Sequence, residues 1–308
     1  MCPTRNDGAT GLLLVDKPIG STSHDIVLAA RRALGVSRIG HTGTLDPFAS
    51  GLLLLAVGSM TRLVEYFHAL PKTYETELEL GVSTDTHDPT GEVSGRSDSW
   101  RELDAAAIEV ALDSFRGEIR QVPPAYSAKR VGGERSYVAA RSGRALDLQP
   151  VTVHVHDLQL LEIAPPRIRL RVRVSTGTYI RALARDLGSI LGCGAHLTAL
   201  RRTTIGPFLV TDALPGSTIG EGEELEAPQW LSPARAVDWL EGRELDAAEL
   251  ELIRSGRRVP CGSFEGDRAA SEWTEAELPV ALLSEGRLVG VAERSGDELQ
   301  PRKVLNRG

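Results

Sequence analysis

Gly40-His41-Thr42-Gly43-Thr44-Leu45-Asp46-Pro47 joins a helical stretch to the wholly apolar run Leu52-Leu53-Leu54-Leu55-Ala56-Val57. Upstream, Ile26, Val27, Ala30 and Leu34 recur at helical spacing, Ser21, Thr22 and Ser23 offer N-caps, and Gly35 stops the helix. Downstream, an apolar run with no polar alternation predicts a buried strand. The block between them is therefore a glycine-rich loop between helix and strand, and it carries one carboxylate. Pro47 biases Asp46 toward extended backbone, which holds its side chain clear of any helix face. An Asp-Pro pair initiates turns, and a carboxylate in such a loop also suits a catalytic acid; the residues alone leave both readings open.

Beyond this block the spacing predicts a helix over 61–70, with Leu63, Val64, Phe67 and Leu70 on one side and Pro71 ending it. The period then changes. Tyr74, Thr76, Leu78 and Leu80 alternate with Glu75, Glu77 and Glu79, the pattern of a strand with one buried face. Asp85-Thr86-His87-Asp88-Pro89-Thr90-Gly91 reads as a turn, and 103–115 as an amphipathic helix beginning near Asp104. Gln121-Val122-Pro123-Pro124 is too proline-rich for regular structure and leads through Gly132-Gly133 to a short helix near 137–141. Residues 151–155 and 168–174 alternate as strands, the second placing Arg167, Arg169, Arg171 and Arg173 on one side, either a solvated face or an RNA contact. Thr178 is placed to cap a helix striped by Ile180, Leu183, Leu187 and Leu191, and 196–204 follows as a strand. Strands and helices do not alternate regularly, so the expected class is α+β with a mixed, mainly antiparallel sheet flanked by helices and loops. Residues 216–228 read as an exposed linker. A helix over 246–255 and short strands at 280–283, 288–292 and 299–305 predict a small β-domain at the C-terminal end.

Composition narrows the function classes. At 308 residues with 41% hydrophobic side chains, the chain is long enough for two packed domains. No segment approaches the roughly 18–20 apolar residues of a membrane span, and the N-terminus lacks a basic-then-apolar leader, so the expected protein is soluble, cytoplasmic and without a membrane partner. Cys2, Cys193 and Cys261 form no CxxC pair; Cys193 and His196 have ligand-like spacing but no partner ligands, and Asp85, His87, Asp88 and Glu92 match no metal motif. No metal is expected. The formal charge of −7 is unusual for a nucleic-acid binder, but residues 216–308 hold 19 acidic against 11 basic side chains, whereas 1–215 hold 23 against 24. The acidic excess lies in the C-terminal part.

Val15-Asp16-Lys17-Pro18-Ile19-Gly20-Ser21-Thr22-Ser23, the Gly-His-Thr-Gly-Thr-Leu-Asp-Pro block and Gly177-Thr178-Tyr179-Ile180-Arg181, in this order, resemble the bacterial tRNA pseudouridine synthase B family. The likeness runs from about Gly11 to about Phe208. It implies a catalytic domain over 11–238 and a PUA-like RNA-binding β-barrel over 239–308. It also implies an RNA isomerase that converts uridine 55 in the T arm of tRNA to pseudouridine, acting as a monomer without cofactor. Asp46 is then the catalytic aspartate, attacking the sugar at C1′ or assisting departure of uracil toward a glycal. Arg181 is the candidate partner of its charge, Tyr74 would stack on the target base, Tyr179 would line the same pocket, and Leu200 would supply an apolar wall. His41 would hold the flipped uridine, and Lys17 would support the loop or meet a phosphate; Lys129, Arg130, Arg201 and Arg202 are candidate backbone contacts. Two rivals remain on the residues: a glycosidic-bond hydrolase, which would release free uracil, and an RNA-binding protein that leaves every uridine unchanged.

Overall fold

The computed structural model describes residues 9–127, 130–131, 134–136, 139, 142, 144, 146–219, 229–263 and 278–305. In chain order the principal elements are β1 (Gly11–Lys17), α1 (Ser23–Leu34), β2 (Ile39–His41), β3 (Ser50–Val57), α2 (Val64–Ala69), β4 (Lys72–Leu80), α3 (Ala105–Asp113), β5 (Gly117–Gln121), β6 (Val151–Ala164), β7 (Arg167–Val174), α4 (Ile180–Ile190), β8 (Ala195–Ile205), β9 (Gly242–Glu244), α5 (Ala247–Arg254), β10 (Val259–Pro260), β11 (Val280–Ser284), β12 (Arg287–Ser295) and β13 (Glu298–Val304). The chain divides into two units, one of 1–47, 51–70 and 204–308, the other of 48–50 and 71–203. The short helix expected near 137–141 and most of the linker fall outside the described residues, as does Lys129.

In the first unit, β3 is the apolar run of the sequence, and Leu52 to Val57 are all fully buried. Each leucine withdrawn from water contributes about 2 kcal/mol, which is why this strand lies between other elements. β1 pairs antiparallel with it along its whole length, from Gly11 opposite Val57 to Lys17 opposite Gly51. Successive side chains point to opposite faces, so Leu12, Leu14, Leu52 and Leu54 enter one core while Leu13, Val15, Leu53 and Leu55 enter another under α1. α1 opens with a capping box in which Thr22 and Asp25 satisfy one another's backbone amides, and it closes on Gly35 at φ 64°. The helix expected over 61–70 is split: a 3-10 turn runs over Gly58–Leu63 and only Val64–Ala69 is α-helical.

The C-terminal part of this unit is the expected small β-domain, a five-stranded sheet in the order β9-β11-β12-β13-β10. α5 begins at a second capping box, Asp246 with Glu249. Val280, Leu282, Val289, Ala292, Leu299 and Ile253 form its own core. The opposite face sends Ala281, Leu288 and Val291 into the core of Leu12, Leu54 and Phe67, where the rings of Phe67 and Trp239 meet edge to face at 6.1 Å.

The second unit is built on a sheet in the order β8-β4-β7-β6-β5. β4 and β7 pair antiparallel, with Arg167, Arg169 and Arg171 opposite Glu79, Glu77 and Glu75. Arg171 meets Glu75 at 2.8 Å, Arg167 meets Glu77 at 3.4 Å, and Arg169 meets Glu162 at 3.0 Å. The arginine ladder is thus a solvated face matched by a glutamate ladder. Beneath it Leu78, Leu170, Val172 and Leu158 are buried. α3 starts where expected, its first turn capped by Asp104 accepting from the Ala107 amide at 2.8 Å. With β1 parallel to Leu214–Pro215 and β9 parallel to β11, while β1 with β3, β4 with β7, β7 with β6, β6 with β5 and β12 with β13 are antiparallel, the architecture is α+β with a mixed, mainly antiparallel sheet.

Candidate active site

In the first unit, Asp46 lies in the loop between β2 and β3 and is partly exposed. The loop backbone is pinned on both sides of it. The Thr42 amide donates to the Leu54 carbonyl at 3.1 Å, and the Gly20 amide to the Pro47 carbonyl at 2.8 Å. Between these points the buried Ser23 hydroxyl accepts from the Leu45 amide at 2.9 Å and donates to the Leu45 carbonyl at 3.3 Å. Ser23 is therefore a lock on the loop, while capping of α1 falls to Thr22. Lys17 is fully buried, and its Nζ donates to the carbonyls of Pro18 at 3.0 Å and Ser21 at 2.8 Å. These contacts tie Lys17 to the turn whose Gly20 amide holds Pro47. His41 ends β2, half-buried, with its backbone opposite Leu55.

In the second unit, Arg181 sits in the first turn of α4 and is 6% exposed, although a cation at a helix N-terminus is disfavoured by the aligned peptide dipoles. The compensation is local. Its guanidinium pairs with Asp88 at 3.3 Å and donates to the carbonyls of Thr86 at 3.2 Å and Tyr126 at 2.8 Å. Asp88 is buried too, and its second oxygen accepts from the Thr86 hydroxyl, the Thr90 amide and the Thr90 hydroxyl. The turn that presents these groups has His87 at φ 62°, a conformation that costs a residue with a Cβ about 1 kcal/mol and that sets the Thr86 carbonyl and the Asp88 carboxylate on one arginine. Burial, followed by the charge of Arg185, holds the His87 imidazole below its ordinary pKa. The turn was expected here; its service to Arg181 was not, because the two are 93 positions apart in the chain.

Tyr74 projects from β4 and is half-buried, while Thr76, Leu78 and Leu80 further along are buried. Leu200 is buried on β8, the neighbour of β4, where the Thr76 hydroxyl donates to the Ala199 carbonyl at 2.8 Å. Tyr179 is the N-cap of α4, at φ −102° and ψ 109°, and is half-buried. Thr178, expected as the cap, instead donates its hydroxyl to the Ser175 carbonyl at 2.9 Å, so the cap lies one residue later and makes no side-chain capping bond. The Tyr179 peptide is held by Gln121, whose Nε2 donates to its carbonyl at 3.1 Å and whose Oε1 accepts from its amide at 2.8 Å.

Among the described residues of this unit, two further cations are buried. Arg202, a candidate backbone contact, is 1% exposed and so faces inward. Lys72 lies near it on β4, and burial, with the neighbouring Arg202 charge, pushes its pKa down to about 7. The structure thus places Lys17, His41 and Asp46 in the first unit and Tyr74, Tyr179, Arg181 and Leu200 in the second. It brings Arg181 to Asp88 and Tyr179 to Gln121, partners that the spacing did not single out. Among the described residues no group of three His, Cys, Asp or Glu side chains is arranged to hold a metal, and Cys193 and His196 bond to backbone carbonyls.

Residues 31–180 match the TruB family pseudouridylate synthase N-terminal domain, and residues 181–231 match the tRNA pseudouridylate synthase B C-terminal domain. The tRNA pseudouridine synthase B of Arthrobacter sp. (strain FB24) is 42% identical over 305 residues, covering 96% of each chain. That of Synechococcus sp. (strain WH7803) is 41% identical over 305 residues, covering 96% of this chain and 97% of the other. A solved Cbf5-Nop10-Gar1 complex contains a chain 25% identical, with a TM-score of 0.71 over 96% of this chain and 85% of that one. An H/ACA RNP bound to a substrate RNA containing 2'-deoxyuridine shares the fold at 23% identity and a TM-score of 0.70. With its catalytic-type α+β sheet, its PUA-like C-terminal sheet and near full-length identity above 40% to these relatives, the chain belongs to the TruB family of pseudouridine synthases, isomerases by reaction class.

Proposed function

We propose that this protein converts uridine 55 in the T arm of tRNA to pseudouridine, with Asp46 as the catalytic aspartate. The bond from C1′ to N1 of uracil breaks, the base turns, and C5 bonds to C1′. The hydrogen on C5 leaves as a proton and N1 gains one, so the exchange is redox-neutral and calls for no cofactor. The target must leave its stack before C1′ can be reached, and Tyr74, Tyr179, Leu200 and His41 are assigned to the extruded base. Arg181 favours the ionised carboxylate of Asp46, and Lys17 maintains the turn behind the loop. Residues 11–238 carry the chemistry and 239–308 add RNA contact; the protein acts as a monomer in the cytoplasm. Likeness to relatives named for tRNA supports the substrate.

The observation that carries this reading is the setting of Asp46: a partly exposed carboxylate in a loop whose backbone is tied at Thr42, Leu45 and Pro47. A carboxylate used only to start a turn needs no such bracing, whereas one aimed at a reacting atom does. The test is tritium release from tRNA carrying uridine labelled at C5. Wild-type protein is expected to release label, and Asp46→Asn to release none while binding tRNA with nearly unchanged affinity. Release by Asp46→Asn at the wild-type rate overturns the assignment, and free uracil among the products identifies a hydrolase instead.

A further inference from the structure

Gln121 ends β5 and is 1% exposed, yet its carboxamide spends both its donor and its acceptor on one other residue. The contact with the Tyr179 amide and carbonyl is the pairing that an adjacent strand makes with a peptide, here made by a side chain. It falls at the position where α4 opens without a side-chain cap, so the peptide that starts the helix is fixed from outside it. The same Tyr179 carbonyl accepts the first helical bond, from the Leu183 amide at 3.1 Å. After Gln121 the chain crosses the beginning of α4 and is tied twice more, by Arg185 to the Val122 carbonyl at 3.0 Å and by Arg181 to the Tyr126 carbonyl at 2.8 Å. Gln121, Tyr179 and Arg181 are thus consecutive points of one hydrogen-bonded strap.

We infer that Gln121 is a positioning residue for the uridine-to-pseudouridine step, setting through the Tyr179 peptide the direction of the Tyr179 ring and of the turn that carries Arg181. The inference rests on the roles proposed above for those two residues. Only a carboxamide of this length supplies a donor to the carbonyl and an acceptor to the amide together. A carboxylate in its place still accepts from the amide but turns a second oxygen toward the carbonyl, and protonation restores the donor. Reacting groups displaced by about 1 Å lose on the order of a hundredfold in rate, so the expected effect falls on the chemical step.

The experiment compares full-length wild type, Gln121→Glu and Gln121→Met in single-turnover tritium release from C5-labelled tRNA, with tRNA affinity and thermal unfolding measured alongside. Rates are taken as ratios to wild type at each pH, so that titration of neighbours such as His87 divides out. At about pH 8, Gln121→Glu is expected to lose about tenfold to a hundredfold in rate with affinity within about twofold of wild type. That loss shrinks toward about pH 6, because burial raises a carboxyl pKa and the acid regains its proton. Gln121→Met is expected to lose as much at both pH values; should it fail to fold, the pH series of Gln121→Glu below its unfolding temperature carries the test alone. Wild-type rates in both variants, a fall in affinity with no fall in rate, or a Gln121→Glu deficit that ignores pH each overturn the inference. Wild-type protein that releases no label overturns the functional reading itself, before any variant is compared.

Discussion

Arg181 and Lys72 show two ways of keeping a cation inside a protein. A guanidinium does not give up its proton at any accessible pH, so a buried arginine needs an anion and a set of acceptors, and Arg181 has Asp88 and two carbonyls. A lysine can become neutral. With Arg202 close by, Lys72 is pushed down to about 7 from the ordinary 10.5, chiefly by burial. Between these two values the unfolded chain holds a proton that the native state lacks, so this lysine makes stability rise as pH increases through that window. Below about 7 both states are protonated and its contribution is level, at its least favourable. Urea unfolding from pH 6 to pH 10 is expected to show this rise in wild type and a flatter profile in Lys72→Met. An unchanged slope in the variant assigns the dependence to other groups.

At the scale of the element, the loop of Asp46 depends on one hydroxyl that reaches it from α1. Ser23→Ala removes both bonds to Leu45 and leaves a buried amide and carbonyl without that partner, an expected loss of about 1–2 kcal/mol in urea unfolding. Faster hydrogen exchange at the Leu45 amide in Ser23→Ala than in wild type is the local sign to measure. The loop itself was legible in the sequence because its signals are short-range: caps before a periodic helix, glycines, an apolar run. Strand periodicity in β4 and β7 and the cap at Asp104 were legible for the same reason. The fate of the arginine ladder was not. Glu75, Glu77 and Glu79 neutralise it from a strand some ninety positions earlier, and register between such strands is set by pairing rather than by either sequence alone. Asp88 beside Arg181 and Gln121 beside Tyr179 were hidden in the same way, and Thr178 lost the cap because its hydroxyl found a nearer carbonyl in Ser175. The roles given to Tyr74 and Leu200 came from the resemblance, since a tyrosine and a leucine on alternating strands otherwise read as core.

In the molecule as a whole, the C-terminal sheet is an integral part of the first unit's packing. Trp239, Ala281, Leu288, Val291 and Leu305 share a core with Leu12, Leu54 and Phe67. Trp239→Ala is expected to cost about 3–5 kcal/mol in equilibrium unfolding, and a chain ending at residue 238 to aggregate on expression instead of yielding a folded fragment. A soluble, cooperatively folding 1–238 fragment would show that this shared core is dispensable. The first unit is also assembled from the two ends of the chain, with residues 71–203 lying between them. β3 covers one edge of β1, but the strands that cover the other, Leu214–Pro215 and Trp230–Leu231, are encoded some two hundred residues later. At about 5–20 residues per second on the ribosome, that edge waits on the order of 10–40 s for its partners. During synthesis Gly11-Leu12-Leu13-Leu14-Val15 is therefore an open apolar edge, the segment a chaperone would hold, and translation halted before residue 204 leaves it bare.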